Sequence, residues 1–136
     1  MIEARRFSLF EIFIVILLLA MVALIDAPGF LRAREEVKLS RLVDCLEQMR
    51  TQLDLYRVEH NDSLPPYDTF ADFETAMTTK VSQKGPYIDK VPTNPFNGFQ
   101  RVRFNGTPAG SGIAGWRLDT KTGLFQADNG TTFAQL

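Results

Sequence analysis

The longest apolar stretch of the chain runs from Phe7 to Ile25, and only Ser8 and Glu11 within it are polar. About 20 consecutive apolar residues let a helix span the hydrocarbon layer of a bilayer. Basic residues lie directly before the stretch, whereas the first one after it is Arg32. Because basic flanks stay on the cytoplasmic side, we expect a single-pass membrane protein with a cytoplasmic amino terminus and the rest of the chain outside.

Glu11 is the one ionisable residue of this stretch, and it lies about one helical turn inside it. A carboxylate within the bilayer costs about 2.5–3.5 kcal/mol, so a glutamate kept there predicts a function and a cationic partner. The alternative is a plain anchor with an incidental glutamate. A cleavable secretory signal fits less well, because the apolar stretch is long for a signal core and continues into an amphipathic pattern.

The second apolar pattern follows without Pro or Gly from Phe30 to about His60. Its apolar residues recur at alternating spacings of three and four, which is typical of one helix face; they are Leu39, Leu42, Leu46, Met49, Leu53 and Tyr56. Just before it, Pro28 removes a backbone donor and Gly29 loosens the chain. We therefore predict one helix from Phe7 to about Glu59, kinked near Pro28.

The remaining patterns predict a short helix and a sheet. Thr69 to Lys80 has apolar residues at helical spacing and a capping threonine at its start. Three segments rich in aromatic and β-branched residues follow, separated by turn-forming residues; they are Phe99–Phe104, Ile113–Leu118 and Leu124–Ala127. The simplest topology is a three-stranded antiparallel meander, with a buried face formed by Val102, Phe104, Trp116 and Leu118. The expected fold class is α+β, with the amphipathic half of the long helix packed on this small sheet.

Composition excludes several function classes. A formal charge of −1 and a pI of about 5.8 provide no broad basic field for nucleic acid. Cys45 is the one cysteine, so an internal disulfide is impossible. His60 is the one histidine, and neither residue has a sequence neighbour that completes a catalytic pair or a metal site. We expect a protein that is not an enzyme and carries no cofactor.

Three segments resemble a known family. Arg5 to Ile12, RRFSLFEI, resembles the amino-terminal signature of type IV pilins and of the pseudopilins of type II secretion. In that family a basic leader is cleaved before an aromatic residue, a glutamate comes four residues later, and an apolar helix follows. Gly85 to Pro95 is similar to the GPY…P.NP loop of major pseudopilins, and Tyr56 to Pro65 is similar to their helix end.

The resemblance assigns roles to particular residues. The bond matching the cleavage site is Arg6–Phe7, with Arg6 standing where the family has Gly. Prepilin peptidase would cut there and methylate the new amine of Phe7. The assembly glutamate maps onto Glu11, and the helix-kinking proline maps onto Pro28, followed by Gly29. The implied regions are a leader at 1–6, a transmembrane and filament-core half-helix at 7–27, and a periplasmic pilin-like domain at 28–136.

The resemblance also implies a function and partners. We expect a structural subunit that polymerises from the inner membrane into a periplasmic pseudopilus for type II secretion. Its partners would be copies of itself, minor pseudopilins, prepilin peptidase, the lipid bilayer, and an inner-membrane assembly platform with its ATPase. The alternatives are a subunit of a type IV adhesive or DNA-uptake pilus, and a membrane-tethered periplasmic binding module that never polymerises.

A calcium site is a further property of relatives, which place it in a carboxylate-rich loop near the carboxyl end. The corresponding segment here, Asp128 to Thr132, offers one carboxylate. Calcium takes about six to eight oxygen ligands, usually with several carboxylates. We therefore expect no metal, and we expect Asp128 to cap a turn through its side chain.

Overall fold

The computed structural model describes residues 8–136, except for the side chains of residues 25–28. It divides into two compact units, Met1–Val37 and Lys38–Leu136. The elements of the described residues are α1 (Leu9–Glu59), α2 (Phe70–Thr78), β1 (Val102–Phe104), β2 (Trp116–Asp119) and β3 (Leu124–Ala127). This architecture confirms the predicted α+β class.

The first unit contains the apolar part of α1. Every residue from Leu9 to Leu24 is exposed. The most apolar 18-residue window of α1 has a mean hydropathy of 2.8, and none of it is buried. Among residues 8–136, α1 is the one helix long and apolar enough to cross a membrane, judged by length and composition. The backbone stays helical through Pro28, and the kink predicted there stays a prediction.

The second unit is built on the amphipathic part of α1. Its predicted stripe is buried at Leu42, Leu46, Met49, Leu53 and Tyr56, whereas Leu39, which precedes them, is 39% exposed. Side chains from the sheet and from α2 complete the same core; the largest are Trp116, Phe125 and Phe73. The predicted buried face is confirmed for Val102, Trp116 and Leu118, while Phe104 is half-buried at the edge of the core.

The sheet is mixed, with the strand order β1-β2-β3. Strands β2 and β3 are antiparallel, as predicted, and pair Trp116 with Ala127. Strands β1 and β2 are parallel and pair Val102 with Trp116, so the meander prediction was wrong for this pair. Parallel neighbours require a crossover long enough for the chain to return to the same end of the sheet. Residues 105–115 provide it.

The crossover ends at a very close backbone approach. A Cβ atom built on Gly115 would lie 2.0 Å from the carbonyl oxygen of Phe99. The amides of Gly115 and Trp116 both donate to the carbonyl of Arg101, at 3.1 and 3.2 Å. Glycine is therefore required where β2 comes alongside β1, because any side chain would push the two segments apart.

Helix α2 has the predicted cap. The hydroxyl oxygen of Thr69 accepts from the amide of Asp72 at 3.1 Å, and the same hydroxyl donates to the Asp72 carboxylate at 2.7 Å. This reciprocal arrangement satisfies an otherwise unpaired amide of the first turn. It fixes the start of a short helix whose Phe73 and Met77 enter the core.

The core is expected to depend strongly on Trp116. Its side chain is fully buried, stacks on Phe125 with a centroid separation of 5.5 Å, and donates from Nε1 to the Pro92 carbonyl at 2.7 Å. We expect Trp116→Ala to lower the free energy of unfolding by about 3–5 kcal/mol. Urea unfolding of a soluble fragment that begins at Phe30 measures this.

The matched control is Ile113→Ala, at a side chain that is 71% exposed. Exposed positions change the free energy of unfolding by about 0.5 kcal/mol or less. Equal losses in the two variants would contradict the role given to the tryptophan.

Candidate functional site

Glu11 lies in the first turn of α1. The amide of Phe10 donates to the Ser8 hydroxyl at 3.3 Å, so Ser8 occupies the capping position. Ser8 and Glu11 have the Ser-x-x-Glu spacing of a capping box. A carboxylate in a first helical turn is also stabilised by the helix dipole. The sequence analysis missed this local role of Ser8, although the spacing was visible.

The surroundings of Glu11 are apolar. Ile12, Val15 and Ile16 border it on the helix surface, and all three are exposed. Within residues 8–136, no basic side chain pairs with Glu11. The site is therefore a single carboxylate on an exposed apolar surface.

Four further residues are assigned to processing and assembly: Arg6, Phe7, Pro28 and Gly29. Arg6 and Phe7 lie outside the described residues. Pro28 is within α1, and its side chain is not described. Gly29 is helical and exposed, and a Cβ added to it would meet no atom within 4 Å. No packing contact therefore requires glycine at position 29, although glycine costs a helix about 1 kcal/mol relative to alanine.

The second unit has a buried polar centre at Asp128, which is fully buried. Arg103 donates to its two oxygens from Nε at 2.8 Å and from Nη2 at 2.7 Å. The amides of Gly110, Ser111 and Ala114 donate to the same carboxylate at 2.9, 3.1 and 3.2 Å. Asp128 therefore caps the crossover, which is a larger role than the expected turn cap.

The remaining Arg103 donors hold the beginning of the crossover. Nη1 donates to the carbonyls of Asn105 and Thr107 at 2.8 Å, and Nη2 donates to the carbonyl of Pro108 at 2.9 Å. A planar guanidinium with five donors suits such a set of oxygens. Sequence reasoning missed Arg103, because nothing local marks a partner 25 positions away from Asp128.

This environment determines the ionisation of Asp128. Burial by itself raises its pKa, but hydrogen bonds from Arg103, Ser111 and Gly110 outweigh burial and lower the pKa from 3.8 to about 2. The carboxylate is engaged by a guanidinium and backbone amides rather than open to a cation. In the described residues, no group of three His, Cys, Asp or Glu side chains could hold a metal ion.

Asn94 is a second buried polar residue that the sequence analysis left within a loop. Its amide nitrogen donates to the Gly115 carbonyl and to the Asn129 side chain, both at 2.8 Å. Its side-chain oxygen accepts from the amide of Phe96 at 3.0 Å. Asn94 thus ties the proline-rich loop to the end of the crossover.

Cys45 and His60 have structural surroundings. Burial, followed by the nearby Asp44 charge, raises the pKa of the Cys45 thiol, which packs against the core. The His60 ring stacks on Tyr56 at 3.9 Å, and its Nδ1 lies 2.9 Å from the Tyr56 carbonyl oxygen. The His60 contacts fix the end of α1.

The Asp128 centre predicts an acid-sensitive fold. Its folded pKa lies below the unfolded value, so its stabilisation is complete above pH 3.8 and is lost as the pH falls towards about 2. We expect Asp128→Asn to remove this part of the pH dependence. At neutral pH it would cost about 3–5 kcal/mol, because Arg103 loses its charge partner. Unfolding of the Phe30-onward fragment at a series of pH values measures both effects.

The control is Asp68→Asn, at an exposed carboxylate. It should keep the acid transition of the unaltered fragment. An acid-unfolding transition that persists in Asp128→Asn and disappears in Asp68→Asn would contradict the role given to Asp128.

No protein-family model, curated protein or solved structure matches this chain. The described geometry supports a pilin-like architecture at a coarse level: a long, apolar amino-terminal helix whose later part packs on a small sheet.

Proposed function

We propose that the chain is a pseudopilin, a structural subunit that polymerises from the inner membrane into a pseudopilus driving type II secretion. The observation that carries this proposal is the exposed apolar surface from Leu9 to Leu24, interrupted by Glu11. A continuous apolar surface of this extent marks a site for lipid or protein. In this proposal lipid covers it before assembly, and copies of the same helix cover it afterwards.

The energetics of that exchange give Glu11 its role. Lipid tails are as apolar as leucine, so replacing lipid by helix contacts gains little from the hydrophobic effect. The assembly platform and its ATPase would supply the work of extraction. The apolar side chains would fit many axial positions, whereas a carboxylate is satisfied in few. Glu11 therefore sets the register of an incoming subunit.

The cation that meets Glu11 depends on processing. If prepilin peptidase cleaves Arg6–Phe7, the methylated amine of Phe7 on a neighbouring subunit would pair with it. If Arg6 prevents cleavage, the Arg6 guanidinium of a neighbour would take that place. Breaking a buried pair costs about 3–5 kcal/mol, because one charge is left without a partner.

Two other functions are less well supported. A type IV adhesive or DNA-uptake pilus would use the same helix, and we place it second because Cys45 is the one cysteine, whereas many major pilins close a loop with two. A tethered binding module needs an anchor, but it has no use for Glu11 within that anchor.

The hinge is the first testable part of this proposal. Pro28 and Gly29 would let α1 unwind locally during extraction, because proline removes a backbone donor and glycine weakens a helix. We expect a double change to Ala to leave membrane insertion normal and to reduce the amount of sheared filament. Filaments formed at the usual rate would exclude the hinge.

Glu11→Ala is expected to insert normally and fail to join filaments. A loss of about 3–5 kcal/mol per contact corresponds to about two to four orders of magnitude in the joining equilibrium. Sedimentation of sheared filaments and the membrane content of the same cells measure the two properties. Glu36→Ala, at an exposed glutamate later in α1, is the matched control and should assemble. Normal filaments from Glu11→Ala would overturn the proposed function.

Intact mass of the membrane-extracted protein identifies the cation. A species that begins at methylated Phe7 supports the amine, and a species that retains Met1 to Arg6 supports the guanidinium. An unmethylated species that begins elsewhere contradicts both.

A further inference from the structure

We propose that Phe30 and Arg34 anchor α1 at the outer surface of the bilayer, with the Arg34 guanidinium on a phospholipid phosphate. The inference rests on the proposed membrane insertion of α1 and adds a lipid-headgroup contact to it. It concerns the first compact unit alone, in which both residues are exposed.

The position of Phe30 along the helix is the first argument. At about 1.5 Å per residue, Phe30 lies about 32 Å along the axis from Leu9. The hydrocarbon layer is about 30 Å thick. If Leu9 enters this layer on one side, Phe30 reaches its opposite boundary, the level at which the amphipathic rings of Trp and Tyr anchor membrane helices.

The contact between the two side chains is the second argument. The guanidinium carbon of Arg34 lies 4.3 Å from the centroid of the Phe30 ring. Helix side chains lean towards the amino terminus, so Arg34 reaches back to the level of Phe30, towards the membrane. The ring holds the guanidinium by a cation–π contact. Its planar donors match two oxygens of a phosphate.

The positions of the acidic residues favour Arg34 over the neighbouring Arg32 as the phosphate-binding residue. Glu35 and Glu36 follow Arg32 by three and four positions, where helix side chains of opposite charge meet. The positions three and four away from Arg34 on either side contain no acid. An anionic ligand therefore meets a less compensated positive charge at Arg34.

Lipid is the occupant that the apolar surface favours, because Phe30 is 59% exposed and the apolar side chains from Leu9 to Leu24 in the same unit are exposed as well. A second copy of the chain is the competing occupant. The two are distinguished by placing the full chain in vesicles without any assembly machinery, at one chain per many lipids.

The probe is an indole introduced by Phe30→Trp into the full chain, in vesicles of phosphatidylcholine and phosphatidylglycerol. Trp116 is the one native tryptophan and is fully buried. The fluorescence of the unaltered chain therefore gives the background signal of Trp116, which is subtracted. We expect lipids brominated near the headgroup to quench the new fluorescence more than lipids brominated near the chain ends. Fluorescence that neither lipid quenches would overturn the lipid contact and favour a second copy.

The phosphate contact is tested in the same reporter with Arg34→Gln and the matched control Arg32→Gln. We expect Arg34→Gln to change the depth of the indole in the bilayer, as measured by the ratio of quenching by the two brominated lipids. We expect Arg34→Lys to restore part of the original depth, because a lysine keeps the charge without the planar fork. Arg32→Gln should leave the depth unchanged. Equal effects of the two glutamine variants would overturn the role of Arg34.

Filament assembly is scored separately in cells. A chain whose indole is not quenched but which still assembles would refute the anchor and leave the proposed function intact. A chain whose indole is quenched as expected but which does not assemble would refute the filament and leave the anchor intact.

Discussion

The structure depends on one constraint: a single helix, α1, has an apolar surface that the folded domain does not cover. Its residues from Leu9 to Leu24 are exposed, whereas its later stripe from Leu42 to Tyr56 is buried in the core. A helix satisfies its backbone hydrogen bonds internally, so it is one of the few structures that tolerates hydrocarbon around it. The later stripe needs a protein core instead. The requirements of the two parts explain why apolar residues surround the helix before Asp26 and follow one face after Phe30.

The domain that covers the later stripe is completed by a buried ion pair. The parallel strands β1 and β2 share three residue pairs, which stabilise little by themselves, and the crossover between the strands has no regular structure. Arg103 donates to the crossover's carbonyls, and Asp128 accepts from its amides. A buried pair of this kind stabilises little relative to an apolar replacement, but losing one partner is costly. Its role is therefore to specify the path of the crossover.

Much of this fold follows from local patterns, and the exceptions have a common cause. The stripe of α1, the Thr69 cap and the burial of Trp116 each follow from spacing or residue type, and the structure confirms them. The parallel pairing of β1 with β2 was not predicted, because the contacts that hold the crossover, such as Arg103 with Asp128, join residues 25 positions apart. Turn-forming residues in the crossover indicate a connection, but they do not indicate its direction. The processing site lies outside the described residues, so it stays a prediction.

The position of Glu11 in the first turn of α1 bears on how strongly it demands a partner. A carboxylate in a first turn gains about 0.3–1 kcal/mol from the helix dipole. A carboxylate at the centre of a membrane helix costs about 2.5–3.5 kcal/mol, which is the upper limit for Glu11 in the first turn. The dipole therefore offsets less than half of that upper limit, and the remainder is removed by protonation or by a cation or water at the same depth. Local capping accounts for a glutamate at this position in a helix, but it does not account for one in a membrane helix. The remaining cost is what the proposed pairing with a neighbouring subunit explains.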